Sequence, residues 1–184
     1  VYKRQDKNFI EFLSNEKLPK SKIDSLYISE DIPKDDLIGI FESQVLSRHI
    51  DLSARKFKEK GICHYTISSS GHEGNAVFGN IFPLSDMAFL HYRSGAFFLE
   101  RSKKLPGSTP IFDTALSLVA SKDDPISSGR HKVFGSKELN IPPQTSTIAS
   151  HLPKAVGFAF SIDRGRDLKL KENLTYTQTV IWQD

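Results

Sequence analysis

Three stretches of this sequence bring together side chains whose types and spacing suit chemistry. The first is His91-Tyr92-Arg93-Ser94, between the apolar run ending at Leu90 and the segment Phe97-Phe98-Leu99. A strand end that turns into a helix start leaves free N–H donors and partial positive charge, and an adjacent arginine adds a bidentate donor. That combination suits a phosphate. The alternative for the same residues is that Arg93 pairs with a carboxylate and Tyr92 packs in a core. The second stretch, Ser127-Ser128-Gly129-Arg130-His131-Lys132, is a basic loop, either functional or simply a solvated surface connection. The third runs from Gln144 through Thr145, Ser146, Thr147, Ile148, Ala149 and Ser150 to His151-Leu152-Pro153. Its hydroxyl and backbone oxygens suit a ligand or a monovalent cation, although Ser and Thr ahead of a helix also serve as N-caps.

The elements that must position these residues follow from hydrophobic spacing. A long helix is expected from Asp35 or Asp36, with Ile38, Phe41, Val45 and Leu52 on one face and Gly61 as the stop. Ser70 and Glu73 have the spacing of a capping box, and the small residues of Gly74–Gly79 fit a helix approached closely by another backbone or a ligand. Asp86–Arg93 reads as a buried strand, and Ser94 as the cap of the next helix. A further helix is expected over Asp113–Ala120 and a loop with Pro125, Gly129, Gly135, Pro142 and Pro143 over 121–147. A helix follows over Ser150–Asp163 with Pro153 in its first turn, then a β-branched strand over Thr175–Trp182. Helices alternating with buried strands predict an α/β domain with a mostly parallel sheet. Residues 1–34 read as an N-terminal extension, a short helix plus loops wrapping a domain over 35–184.

Composition bounds the rest. With 38% hydrophobic and 26% charged residues the chain can form a packed globular domain. The net charge of +3 is small and the basic residues are scattered, so nothing demands a nucleic acid. No run of about 18 apolar residues exists to span a membrane. The N-terminal residues lack a signal peptide's apolar core, and the missing Met points to an incomplete reading frame, which leaves open whether residues 1–5 are native. A single cysteine, Cys63, forms no internal disulfide, which favours a reducing, cytoplasmic setting. The six histidines show no metal-ligand spacing with Cys63, and Walker, GxGxxG, HExxH and nucleophile-elbow motifs are missing.

Three segments in order, Tyr65–Gly74, Phe89–Gly95 and Ser146–Gly157, give residues 36–162 a family resemblance. The chain resembles the α-type half of the E1 components of thiamine-diphosphate-dependent 2-oxo acid dehydrogenases. The likeness is strongest to branched-chain (2-oxoisovalerate) enzymes, including forms with fused α and β halves. The resemblance implies a thiamine-diphosphate-binding fold, a mostly parallel sheet flanked by helices, incomplete at the C-terminus. It implies that Tyr92 and Arg93 grip the cofactor diphosphate and that Ser146 and Ile148 meet the aminopyrimidine ring, Ile148 by packing and through its backbone. A potassium ion held by Thr145, Ser146 and Ser150 is the weaker implication, because Thr147 and His151 stand where such enzymes have Pro and Gln.

The implied reaction is oxidative decarboxylation of a branched-chain 2-oxo acid, with acyl transfer to lipoamide on a lipoyl acyltransferase (E2). Pyruvate and acetoin dehydrogenases are the near alternatives, and a non-catalytic binding or assembly module on the same fold is the alternative of another class. The family's Mg2+ motif, Gly-Asp-Gly…Asn, would follow the strand over 175–182. The activating glutamate lies in the β-type half. Both are expected beyond these 184 residues, so the chain alone should be inactive. The complete enzyme is expected to be a dimer or heterotetramer containing that β-type half.

Overall fold

A computed structural model describes residues 7–8, 10–11, 14–15, 32–63, 67–130, 133–144, 146–170 and the backbone of Val180–Trp182. The chain divides into two units, Val1–Ile32 and Pro33–Asp184. In the first, the described residues include a helical turn closed by Asn15 N–H on Glu11 O at 3.0 Å. The expectation that residues 1–34 wrap the domain lies outside the described residues.

The second unit mixes helices with short strands. Helix α1 spans Lys34–Glu59, with Asp35 and Asp36 in its first turn and Lys56 and Lys58 in its last, each sign set against the opposite pole of the helix dipole. It ends where expected, at Lys60 and a left-handed Gly61 (φ +72°). Its orientation departs from the expectation. The buried residues are Ser43, Ser47, Asp51 and Ala54, while Ile38 and Phe41 are 57% and 63% exposed. The reason is close packing. A Cβ on Gly95 would lie 2.8 Å from the Ser47 hydroxyl, a separation that only small residues permit.

The capping box is not formed. Glu73 accepts from the Gly71 N–H at 2.7 Å, and a 3-10 turn over Glu73–Asn75 leads into helix α2, Ala76–Ile81. The expected close approach is present here: a Cβ on Gly79 would sit 2.8 Å from the Phe97 carbonyl. Strand β1, Met87–Phe89, is followed by helix α3, Gly95–Ser102. Helix α4 covers Pro110–Leu118, earlier than the Asp113–Ala120 expected, because Pro110 at the first position starts it.

The loop expected over 121–147 contains an antiparallel pair, β2 (Phe134–Ser136) and β3 (Ile141–Gln144). Its register couples Phe134 with Gln144 and Ser136 with Ile141. The paired residues of β3 are thus the two that have N–H groups, and Pro142 and Pro143 fall between them. Helix α5, His151–Asp167, holds Pro153 in its first turn and runs four residues past the expected end. Strand β4, Val180–Trp182, pairs in parallel with β1, Met87 opposite Val180; residues 175–179 of that expected strand lie outside the described residues. The sheet is therefore one parallel and one antiparallel pair rather than mostly parallel, among the described residues.

β1 meets the β2–β3 hairpin through the Ala88 N–H on Asn140 O at 3.0 Å. Around it Ala88, Leu90, Phe97, Phe98, Phe134, Leu139 and Ile141 form the core, with the Phe98 and Phe134 rings 5.4 Å apart. Among the described residues no helix is long and apolar enough to cross a membrane. Cys63 is buried, its thiol facing Ala54 O at 3.6 Å.

Candidate functional site

β1 carries the chain through the core and delivers His91, Tyr92 and Arg93 to its C-terminal end, where ligands bind in open α/β sheets. The turn is fixed from within. His91 N–H donates to Ser94 Oγ and Ser94 N–H to His91 O, both at 3.0 Å, with Ser94 1% exposed. The Ser94 hydroxyl thus serves the turn and makes no side-chain cap on α3, a correction to the expected N-cap.

Arg93 donates from Nη1 to Ser68 O, and its guanidinium lies 5.4 Å from the Tyr92 ring centroid. Both residues are half-buried, so each keeps donor capacity towards solvent. Ser68 is itself tied to α1, donating to Asp51 Oδ2 at 2.9 Å, and Asp51 Oδ2 also accepts from Ser69 N–H at 2.7 Å. A carboxylate on α1 therefore sets the position of the carbonyl that holds Arg93.

One part of the anion-site expectation is corrected. The N-terminus of α3 does not face solvent, since Ala96 and Phe97 are both 0% exposed and Gly95 is walled by the Ser47 and Ser69 hydroxyls. Any anion here meets the side chains of Tyr92 and Arg93, not helix amides.

The third stretch lies beside the first. The His91 ring is 5.9 Å from that of His151, the first residue of α5, and 5.7 Å from that of His72 at the entry to the 3-10 turn. It is 3.7 Å from its neighbour Tyr92. Three imidazoles from three elements thus gather at the end of β1, two of them buried. Sequence reasoning missed this cluster because it weighed the histidines only for metal spacing. The position of His91 next to Tyr92-Arg93, and of His151 behind the Ser146–Ser150 turn, were the available signals. Among the described residues no group of three or more His, Cys, Asp or Glu is placed to hold a metal ion.

In the turn before α5, Ser146 is half-buried and Ile148 is 74% exposed. Ser150 Oγ accepts from Gln144 Nε2 at 2.5 Å, which orients one oxygen of the suggested potassium set; Thr145 lies outside the described residues. The basic loop is tied to itself. Buried Asp124 accepts from Ser127 Oγ and from Ile126 N–H, and Ser127 Oγ also bonds Arg130 O at 2.6 Å. Arg130 is exposed, and His131 and Lys132 lie outside the described residues.

Two buried charges behind the site hold the scaffold. Arg101, 0% exposed, donates from Nε to Leu139 O at 2.8 Å and from Nη2 to Leu84 O and Asp86 O, joining the hairpin to the loop before β1. Burial lowers its pKa to about 10, against the attraction of Asp86. Glu100 accepts from Ser43 Oγ at 2.6 Å, Lys103 Nζ at 2.9 Å and Asn80 Nδ2 at 3.1 Å. Burial pushes its carboxyl up, but these bonds outweigh it and hold the group below the usual carboxylate range. Asp86 has no such set of donors, and burial carries it above that range.

Compared with known families, the chain matches no family model, and no curated protein matches it.

Proposed function

We propose that this chain is the α-type part of a thiamine-diphosphate-dependent 2-oxo acid dehydrogenase, acting on a branched-chain 2-oxo acid within a thiamine-diphosphate-binding fold. The observation that carries the reading is the 5.9 Å approach of His91 and His151, which puts the Tyr92–Arg93 turn beside the Ser146–Ser150 turn. These are the two segments such a cofactor must bridge. Segments 53 residues apart in sequence, Arg93 to Ser146, meet at the C-terminal end of a parallel strand.

The residues present fit the diphosphate on donor chemistry. Arg93 has guanidinium N–H groups beyond the one spent on Ser68, and Tyr92 has a phenol on a half-exposed ring. Tyr92 and Arg93 would hold the diphosphate, while Ser146 and exposed Ile148 would meet the ring system. When bound, the cofactor supplies the electron sink for decarboxylation. This chain's share is to bind and orient. Asp51 fixes Ser68, Ser68 fixes Arg93, and Ser94 holds the turn, so the grip is set before the cofactor arrives. By the resemblance, Mg2+ ligation and the activating glutamate would come from other parts of such an enzyme, and the acyl acceptor would be lipoamide on E2.

Exposed apolar side chains on α1 (Ile38, Phe41) and α5 (Val156 69%, Phe160 70%) support a subunit that docks against a β-type half. They would serve a non-catalytic assembly module equally well. Calorimetry on the full-length protein with thiamine diphosphate and Mg2+ separates the two readings. Saturable, Mg2+-dependent binding is expected, and its absence would leave the assembly module. The coding sequence after Trp182 should also continue into a Gly-Asp motif, with an Asn roughly 25 to 30 residues on by family resemblance.

A further inference from the structure

A cavity of about 370 Å³ lies at the opposite end of α3 from Tyr92 and Arg93. It is lined at Phe98 and Ser102, whereas the candidate cofactor turn adjoins Gly95, so along the helix axis they are separated by roughly 4 to 10 Å at 1.5 Å per residue. The volume is in the range of small-molecule sites, roughly 300–1,000 Å³. Its floor is apolar, made by the core residues Phe98 and Leu139 together with Leu105 and Ile126. Pro106, Pro110 and Pro125 stiffen the walls, which favours a preformed shape over an induced one.

The polar lining is one-sided. Asp113 and Glu138 both line the cavity, and among the described residues no Lys, Arg or His does. Asp113 accepts from Thr109 Oγ1 at 3.1 Å and Glu138 from Ser136 Oγ at 3.3 Å, neutral donors that leave both charges in place. Lys137, next to Glu138, is exposed and does not line the cavity, and the two lysines that follow α3 are used elsewhere. Lys103 Nζ binds Glu100 and Gly39 O, and Lys104 Nζ binds Asn80 O and Phe82 O. A concave apolar floor beneath an acidic rim selects a ligand of opposite charge with an apolar arm.

We propose that this cavity binds a small organic cation, an ammonium group at the Asp113 and Glu138 carboxylates with its apolar part on Phe98, Leu105 and Leu139. The site is independent of the dehydrogenase reading and stands or falls separately from it.

The test is titration of the full chain with 2-phenylethylamine, followed by amide chemical shifts, with 3-phenylpropionate as the control of matched shape and opposite charge. The amine should move the amides of Gly107, Ile126 and Gly135 with a Kd on the order of millimolar, as expected for so small a ligand. The carboxylate should leave them in place. The double substitution Asp113→Asn, Glu138→Gln should weaken amine binding about tenfold, and 0.5 M salt should weaken the unsubstituted protein in the same direction. Equal binding of amine and carboxylate, unchanged affinity in the double variant, or no shift at tens of millimolar amine would overturn the proposal.

Discussion

Replacing Gly79 by alanine should destabilise the protein, although helix propensity alone predicts the reverse. Alanine in a helix interior is favoured over glycine by about 0.5–1 kcal/mol. At Gly79 the new methyl would stand 2.8 Å from Phe97 O, 3.1 Å from Glu100 Cβ and 3.2 Å from Arg101 N. Two of these are backbone atoms of α3, whose Ala96 and Phe97 are fully buried, so α3 cannot yield without displacing the core. Overpacking of this kind costs about 1–3 kcal/mol, enough to cancel or exceed the propensity gain. Gly157 in α5 provides the reference, since a Cβ there meets nothing within 4 Å and Gly157→Ala should stabilise by the propensity term alone. The difference between the two variants then isolates the steric term. Urea unfolding of both should place Gly79→Ala about 1–3 kcal/mol below Gly157→Ala, or roughly 2–10 °C in Tm. Equal stability of the two variants would refute the close α2–α3 packing.

Glu100→Gln should cost about 1.5–3 kcal/mol at neutral pH, because three donors lose a charged acceptor. The pH dependence follows from the lowered carboxyl. Its contribution is complete above the unfolded pKa and is lost as pH falls through the folded one, so the gap between parent and Glu100→Gln in urea melts should narrow in acid. A gap that widens instead would contradict the assigned direction. Arg101→Met should cost about 3 kcal/mol or more by denaturant titration, since it strips hydrogen bonds from Leu139 O, Leu84 O and Asp86 O in the core. A neutral result would mean that water or another donor reaches those carbonyls. Ser94→Ala should cost about 1–3 kcal/mol in the same assay by removing the hydroxyl that accepts from the buried His91 N–H.

Helix positions were largely legible in the sequence, because capping charges, Pro153 and Gly61 act locally, although the start of α4 at Pro110 was placed three residues late. Which face of a helix is buried was not. For α1 the apolar spacing of Ile38, Phe41 and Val45 pointed one way, and the serine face that allows close approach to Gly95 went inward instead. The β2–β3 hairpin was hidden by Pro142 and Pro143, whose effect depends on which residues the partner strand pairs. At the candidate site, Tyr92 and Arg93 were visible as types next to a strand end. The burial of the α3 N-terminus and the meeting of His72, His91 and His151 arise from tertiary contacts that no local pattern encodes.

The measurement that bears most directly on the proposed function is thiamine diphosphate affinity of the full-length protein, with Mg2+, before and after Arg93→Ala. Loss of a charged phosphate donor worth about 1.5–3 kcal/mol corresponds to about 10- to 150-fold weaker binding. Because Arg93 also holds Ser68 O, urea unfolding of the same variant checks that the fold is kept. Cofactor binding weakened in that range, in a folded variant, is the result predicted. Binding unchanged by the substitution would contradict the diphosphate role of Arg93, and no binding by the unsubstituted protein would contradict the proposed function itself.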